Sequence, residues 1–349
     1  MLEIQKTIVN KNGERLVFDD ITELNSSKPF YLTKSGELLG ILNSDGIEII
    51  KPSYDSISMT KYGFFIVGKN NLYGLVNPSG QICIRVSYDY ISNCCINGMV
   101  EIKKGEKIGF ANINTFFIIE PIYDSATSFE KGFSKVDIEG KYGLINKLGV
   151  ECIPLSYDYI SDCCINEMFE IKKGEKIGFA NINTFFIIEP IYDSATSFDE
   201  KGVSKVKIEG KYGFINKLGV QFIPLIYDWI YEPYNGVART KLNNKYGCIS
   251  YGEFEIFKPE YDEVSDSDDN VVFARKGNLY YCSSKDRKRI FILDTNQGII
   301  HTGIGFTKIP YEWCEEYIQF DCGISVIKQD GKFRCVDANQ HPLVTFYNN

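Results

Sequence analysis

Polar and apolar residues alternate singly through much of this chain. In Ser134–Gly140 (SKVDIEG), Val136 and Ile138 fall on one face, and Lys135, Asp137 and Glu139 on the other. A period of two marks a strand with one buried face. The next segments, KYGLIN and GVECIP, are short apolar runs punctuated by Gly and Pro, so the local pattern predicts a β-meander.

The pattern recurs. Ser87–Leu155 returns almost letter for letter as Ser156–Leu225. Inside each copy lie two shorter units, aligned on an aromatic or aliphatic residue followed by Gly. The marks are Leu39-Gly40, Tyr73-Gly74, Ile108-Gly109, Tyr142-Gly143, Ile177-Gly178, Tyr212-Gly213 and Tyr246-Gly247, in steps of 34 or 35 residues. Weaker marks at Lys6, Tyr280 and Phe333 bring the total to about ten units. The step of 53 from Tyr280 to Phe333 signals an insertion around Asn296–Gln319.

Turn chemistry marks the same phase. A pair such as Gly36-Glu37, Asn70-Asn71, Gly105-Glu106, Glu139-Gly140 or Asn243-Asn244 precedes each mark, as a primed two-residue hairpin requires. Four residues after the mark comes Asn, usually followed three later by Gly: Asn43 and Gly46, Asn77 and Gly80, Asn146 and Gly149, Asn216 and Gly219. Such an Asn bonds its own backbone at the start of a turn that Gly closes. Asn112 and Asn181 lack the Gly, so their turns should differ. The third strand then runs through Pro52, Pro121, Pro154, Pro190, Pro224 or Pro259, an edge or a bend. It ends at Tyr-Asp: Tyr54-Asp55, Tyr88-Asp89, Tyr123-Asp124, Tyr157-Asp158, Tyr192-Asp193, Tyr227-Asp228 and Tyr261-Asp262. A short connection (DYIS, DSATSF, DWIYEP) should lead to the next unit.

The stretch Lys211–Asp228, KYGFINKLGVQFIPLIYD, resembles the WG-repeat (KWG-repeat) family, and the likeness runs over roughly Leu38–Asp262. The signature Trp is replaced by Tyr73, Tyr142, Tyr212 and Tyr246, or by Ile108, Ile177 and Leu39. The resemblance implies a bacterial repeat scaffold and no reaction.

Composition narrows the function classes. The net charge of −8, with no Lys/Arg run, argues against nucleic acid. Met1–Asn10 lacks the apolar stretch of a signal peptide and no segment is long enough to span a bilayer, so a cytoplasmic location without membrane association is expected. The eleven cysteines show no metal-finger spacing and read as buried, reduced side chains; Cys94-Cys95 and Cys163-Cys164 would point to opposite faces of a strand. His301 and His341 are the only histidines, and neither adjoins a nucleophile motif. The acid-rich run Asp262–Asp269 lacks calcium-loop spacing. Each repeated Asp is expected to bond backbone at its bend, each repeated Tyr to pack inward, and the Gly of each mark to lie under an aromatic ring. Between the copies Phe133, Asp137, Glu151 and Cys152 become Val203, Lys207, Gln221 and Phe222. Asp137 and Lys207 should therefore both face solvent.

The expected fold is all-β: three- or four-stranded meanders in an open, curved, solenoid-like array, with a β-propeller as the alternative. Residues 1–37 read as a partial repeat or cap, 38–262 as the array and 263–349 as diverged repeats or a cap. The expected function is a non-catalytic scaffold, without cofactor or metal, that binds a protein. Tyr311, Trp313 and Tyr317 are the candidate protein-binding anchors. The rival is a propeller that binds a carbohydrate or small ligand, or an enzyme with a central polar site.

Overall fold

The computed structural model describes residues 6–24, 30–234, 236–250, 254–264, 271–277 and 279–284, and the backbone of short strands between 290 and 336. Every regular element among these residues is a strand. The chain forms two compact units, Met1–Ile160 and Ser161–Asn349. In the first, a hairpin (Lys6–Val9 with Arg15–Phe18) precedes four-stranded antiparallel sheets over 20–54, 56–88, 90–123 and 125–157. In the second, strands Met168–Lys173, Lys176–Asn181 and Ile187–Tyr192 run antiparallel in order, and four-stranded sheets cover 194–227 and 229–261. A six-stranded sheet over 263–308 gains strands Ile299–Thr302 and Gly305–Lys308, within the insertion read from the sequence. Strands follow chain order within each sheet, and none closes into a barrel.

The first strand of each sheet is the segment expected to be a connection. Tyr90–Ile96, Ser125–Ala126 and Trp229–Ile230 begin directly after the Asp of Tyr-Asp. Backbone pairing makes the difference: Asp89 N–H donates to Lys103 O (2.9 Å), so the chain joins the next sheet at once.

The core is a series of slabs between consecutive sheets. Ile84 and Tyr88 pack with Ile91, Ile102 and Ala111. Phe110, Ile119 and Tyr123 pack with Phe129, Val136 and Ile145. The second unit repeats this with Phe179, Ile188 and Tyr192 against Phe198, Val206 and Ile215. Phe129 and Phe198 each cap a slab edge-on to Phe110 and Phe179, at 4.9 and 4.8 Å. Burying one such ring contributes about 1.5–3 kcal/mol. Tyr88, Tyr123, Tyr157, Tyr192 and Tyr227 are buried members of this pattern, as expected, whereas Tyr54 and Tyr261 at either end are half-buried.

The two-residue hairpins divide by sequence. Asn70-Asn71, Glu139-Gly140, Glu209-Gly210 and Asn243-Asn244 have positive φ at both residues. Gly36, Gly105 and Gly174 are positive ahead of a Glu that is not. These are the I′ and II′ solutions to one backbone reversal. In the next turn, Asn146 Oδ1 accepts from Leu148 N–H (2.9 Å) and Val150 N–H (3.1 Å), and Gly149 has φ 72°. Where the Gly is missing, the left-handed residue is Phe116 (φ 59°) or Phe185 (φ 57°). There Asn112 N–H reaches one residue further, to Phe117 O (2.8 Å).

The Gly of each mark is required for a different reason from ring cover. Tyr212 pairs with Tyr227 and Phe214 with Ile223, so Gly213 alone faces a bulge made of Pro224, Leu225 and Ile226. A Cβ on Gly213 would lie 2.7 Å from Ile223 O. The proline supplies no N–H to the ladder, so it fits the bulge of an edge strand.

The repeated Asp residues hold the hairpins of their own sheets, and from Asp124 onward they also hold a Lys of the preceding sheet. Asp89 Oδ2 accepts from Gly105 N–H (2.6 Å), the first residue of the hairpin in its own sheet. Glu139 N–H and Asp124 (2.8 Å), Glu209 N–H and Asp193 (2.6 Å), and Asn243 N–H and Asp228 (2.7 Å) repeat the contact. The second oxygen binds a Lys from the hairpin of the preceding sheet: Lys107 to Asp124 (2.5 Å), Lys176 to Asp193, Lys211 to Asp228 (2.5 Å) and Lys245 to Asp262 (2.6 Å). These contacts hold the carboxyls of Asp124, Asp193, Asp228 and Asp262 below the usual range. Lys176 and Lys211 are the larger influence on Asp193 and Asp228; the N–H groups of Glu139 and Gly277 are the larger influence on Asp124 and Asp262.

Asp137 corrects the expectation of two solvent-facing side chains. It is 8% exposed, opposite Tyr142 on one side and Ser125 on the other, and its Oδ2 has no hydrogen-bond partner. Lys207 occupies the same register position opposite Tyr212, half-buried, with its ammonium 5.0 Å from the ring centroid. The register is as read; the face is covered, because the hairpin tyrosine folds over the neighbouring position. A long amphipathic Lys lies along that ring and emerges, and a short carboxylate does not.

Gly213→Ala should cost about 1–3 kcal/mol in urea unfolding, because the bulge backbone has to move. Phe185→Gly should raise stability by about 1 kcal/mol, because the left-handed backbone is unstrained for Gly. The depressed Asp carboxyls contribute stability that is complete above their unfolded value, about 3.9, and lost as pH falls through their lower folded values. The urea midpoint should therefore fall between about pH 4 and pH 2. Asp193→Asn with Asp228→Asn should lower the midpoint at neutral pH and flatten that decline.

Candidate interaction surfaces

The recurring polar side chains are spent on the backbone. The Asp carboxylates hold hairpins, the Asn amides hold turns, and no cluster of His, Cys, Asp or Glu suited to a metal occurs among the described residues. Tyr311, Trp313 and Tyr317 lie outside the described residues, as do His341 and most of the acid-rich run 262–269. The uniform reading of the cysteines needs correction. Cys83, Cys248 and Cys282 are buried, but Cys94 and Cys163 are exposed, with Cys95 and Cys164 between. Cys94 lies where the pairing of Tyr90–Ile96 with Met99–Lys104 is interrupted, and Cys163 follows the short strand Tyr159–Ile160. Burial pushes the Cys248 thiol up to about 12.

Two surface features remain. One is an apolar edge. In the first unit Phe117, Ile122, Leu148 and Val150 are exposed; in the second Phe186, Ile191, Leu218 and Val220 are their counterparts. All lie in the fourth strand of a sheet or the turn before it. The turn geometry causes the exposure. Asn146 and Asn216 take the N–H groups of Leu148 and Leu218, so these backbones lie against the Asn and the side chains, 64% and 65% exposed, point away. In the fourth strand the bulge turns Ile122 and Ile191 outward while Tyr123 and Tyr192 turn in.

The other is an aromatic and basic recess in the second unit. Trp229 follows Asp228 and is 46% exposed, whereas the next residue, Ile230, is buried. Strand alternation thus puts Trp229 and Tyr231 on one outward face. Lys241 lies opposite Trp229, and Tyr231 N–H donates to Arg239 O (2.9 Å). The indole meets Tyr212 edge-on at 5.1 Å and Tyr231 at 6.5 Å. Arg239 lies 4.7 Å over Tyr231, and Lys241 5.6 Å over Tyr246. Asp228, Lys241 and Asn244 complete a shallow, open depression around the two rings of Trp229 and Tyr231. The sequence anchors did not include this place. Its signal was present: an aromatic follows Tyr-Asp at Tyr90, Tyr159 and Trp229, where other units have Ser56, Ser125 or Ser194.

A family model described as a WG-containing repeat matches residues 40–73, 73–107, 108–142, 142–176, 177–212, 212–246 and 252–280. No match was found among curated proteins. Among solved structures, the extracellular domain of a protein described as a hybrid two-component system from B. thetaiotaomicron aligns over 96% of this chain and 53% of its own, at 11% identity and a TM-score of 0.29. This chain thus spans about half the length of that protein. Hsv2p of Kluyveromyces lactis aligns over 80% of this chain and 96% of its own, at 10% identity and a TM-score of 0.23. Scores this low carry no functional argument.

Proposed function

The chain belongs to the WG-containing repeat family, and on that footing we propose that it is a non-catalytic cytoplasmic scaffold whose repeated edge binds another protein. The observation that carries this reading is the exposure of Phe117, Ile122, Leu148 and Val150 at the fourth strands of two neighbouring sheets of the first unit, and of Phe186, Ile191, Leu218 and Val220 at their counterparts in the second. Single exposed apolar residues are ordinary on a soluble protein. Four exposed apolar residues on neighbouring fourth strands within one unit, repeated in the other, go beyond that, and exposed apolar patches mark interaction sites. Stacked repeats supply such area without a deep pocket. The polar groups that recur are already engaged in turns, which supports a presenting role.

The test is affinity capture from the native cell with the wild-type chain and with Leu148→Glu combined with Leu218→Glu. Both side chains stand clear of the core, so the variant should keep the wild-type circular dichroism. Capture of a defined protein should weaken by about tenfold or more. Unchanged capture, or turnover of a substrate by the purified chain, would remove the proposal.

A further inference from the structure

The recess around Trp229 differs from the rest of the scaffold in being unrepeated. The copies 87–155 and 156–225 are nearly identical, yet the position of Asp137 in one is Lys207 in the other. Asp137 is buried beside Tyr142; the Lys207 ammonium rides on Tyr212, the ring that meets Trp229. In a chain of net charge −8, this one exchange replaces a negative group with a positive one beside the aromatic cluster. Lys241 lies opposite Trp229, and its ammonium too rests over a ring. Neither Lys207 nor Lys241 has a carboxylate at ion-pair distance among the described residues; Asp228 is held by Lys211 and by the Asn243 N–H. The recess therefore offers a half-exposed indole bordered by two ammonium groups that rest over rings, their nearby carboxylates, Asp193 and Asp228, being already bound by Lys176 and Lys211.

We infer that this recess binds an acidic polypeptide segment, with an apolar or aromatic side chain of the segment against Trp229 and its carboxylates on Lys207 and Lys241. The inference rests on the scaffold reading above and names the chemistry of one part of the partner. Charge complementarity selects the occupant. Each ammonium would exchange a weak ring contact for a charge-assisted hydrogen bond. Trp is among the side chains that dominate protein interfaces when a partner covers them. A basic segment would meet like charges and is disfavoured.

The test uses the full chain and a fluorescein-labelled peptide of alternating glutamate and tyrosine, read by anisotropy. A lysine–tyrosine peptide and an oligogalacturonate serve as the contrasting probes. The glutamate peptide should bind saturably, more weakly as salt rises, and the lysine peptide should not. Lys207→Asp, which installs the residue of the other copy, and Trp229→Ala should each weaken binding by about tenfold or more. Lys104→Asp, a charge reversal at an exposed position of the first unit, should leave it unchanged. Circular dichroism checks the fold of each variant, and Lys241→Gln provides a second, milder loss of charge. Absence of saturable binding, equal binding of the lysine peptide, or binding untouched by these variants overturns the inference. Binding of oligogalacturonate in place of the peptide makes the recess a sugar site and overturns it as well. If cellular capture survives Lys207→Asp but not Leu148→Glu with Leu218→Glu, the recess proposal falls and the scaffold reading stands. If peptide binding behaves as expected while the leucine variants capture normally, the edge reading falls and the recess remains.

Discussion

From Asp124 onward, one carboxylate per repeat ties neighbouring sheets together. Asp124 takes the Glu139 N–H on one oxygen and Lys107 on the other, so the hairpin of one sheet is tied to the hairpin of the next through a single side chain. Asp193, Asp228 and Asp262 do the same in the second unit. Any one of these exposed contacts is weak in water. Their importance is geometric: the N–H belongs to a turn, the Lys follows the preceding turn, and the Asp stands where the chain leaves one sheet for the next. Together they recur at one phase of the repeat, and beside Asp124, Asp193 and Asp228 the preceding Tyr is buried.

The other recurring residues serve the same backbone. Gly213 leaves room for the bulge of the fourth strand, Pro224 fits the ladder gap the bulge opens, and Asn216 closes the turn between them. Asn-Asn, Glu-Gly and Gly-Glu are different chemical answers to one hairpin. Because these residues are committed to the backbone, chemistry directed outward is carried by the positions between them. Those positions are where the copies diverge.

Divergence is concentrated in consequence more than in number. The exchange of Asp137 for Lys207 moves a side chain from a covered site to the border of the Trp229 recess. Cys152 and Phe222 differ at another equivalent position, and there Phe222 stacks on Phe214 at 6.1 Å. One change alters a surface and the other thickens a slab. The exposed apolar residues of the fourth strands, by contrast, are the same in both copies.

The repeat period, the all-β class, the hairpin positions, the Asn turns and the inward Tyr were legible in the chain, because each is a local backbone demand met by a few residue types. The first strand of each sheet was not, since Ser125-Ala126 and Trp229-Ile230 are too short to show a period and become strands only by pairing with the next sheet. Exposure was misread at Asp137 and Cys94 for a related reason. Alternation tells which side chains share a face, but whether that face is covered depends on how a neighbouring ring or sheet lies over it. The recess around Trp229 is the extreme case: Tyr212, Lys207, Tyr231 and Lys241 belong to two sheets, and only their packing brings the rings and charges together. Local sequence determined the unit; contacts between units, which no window of the sequence contains, decided the surface.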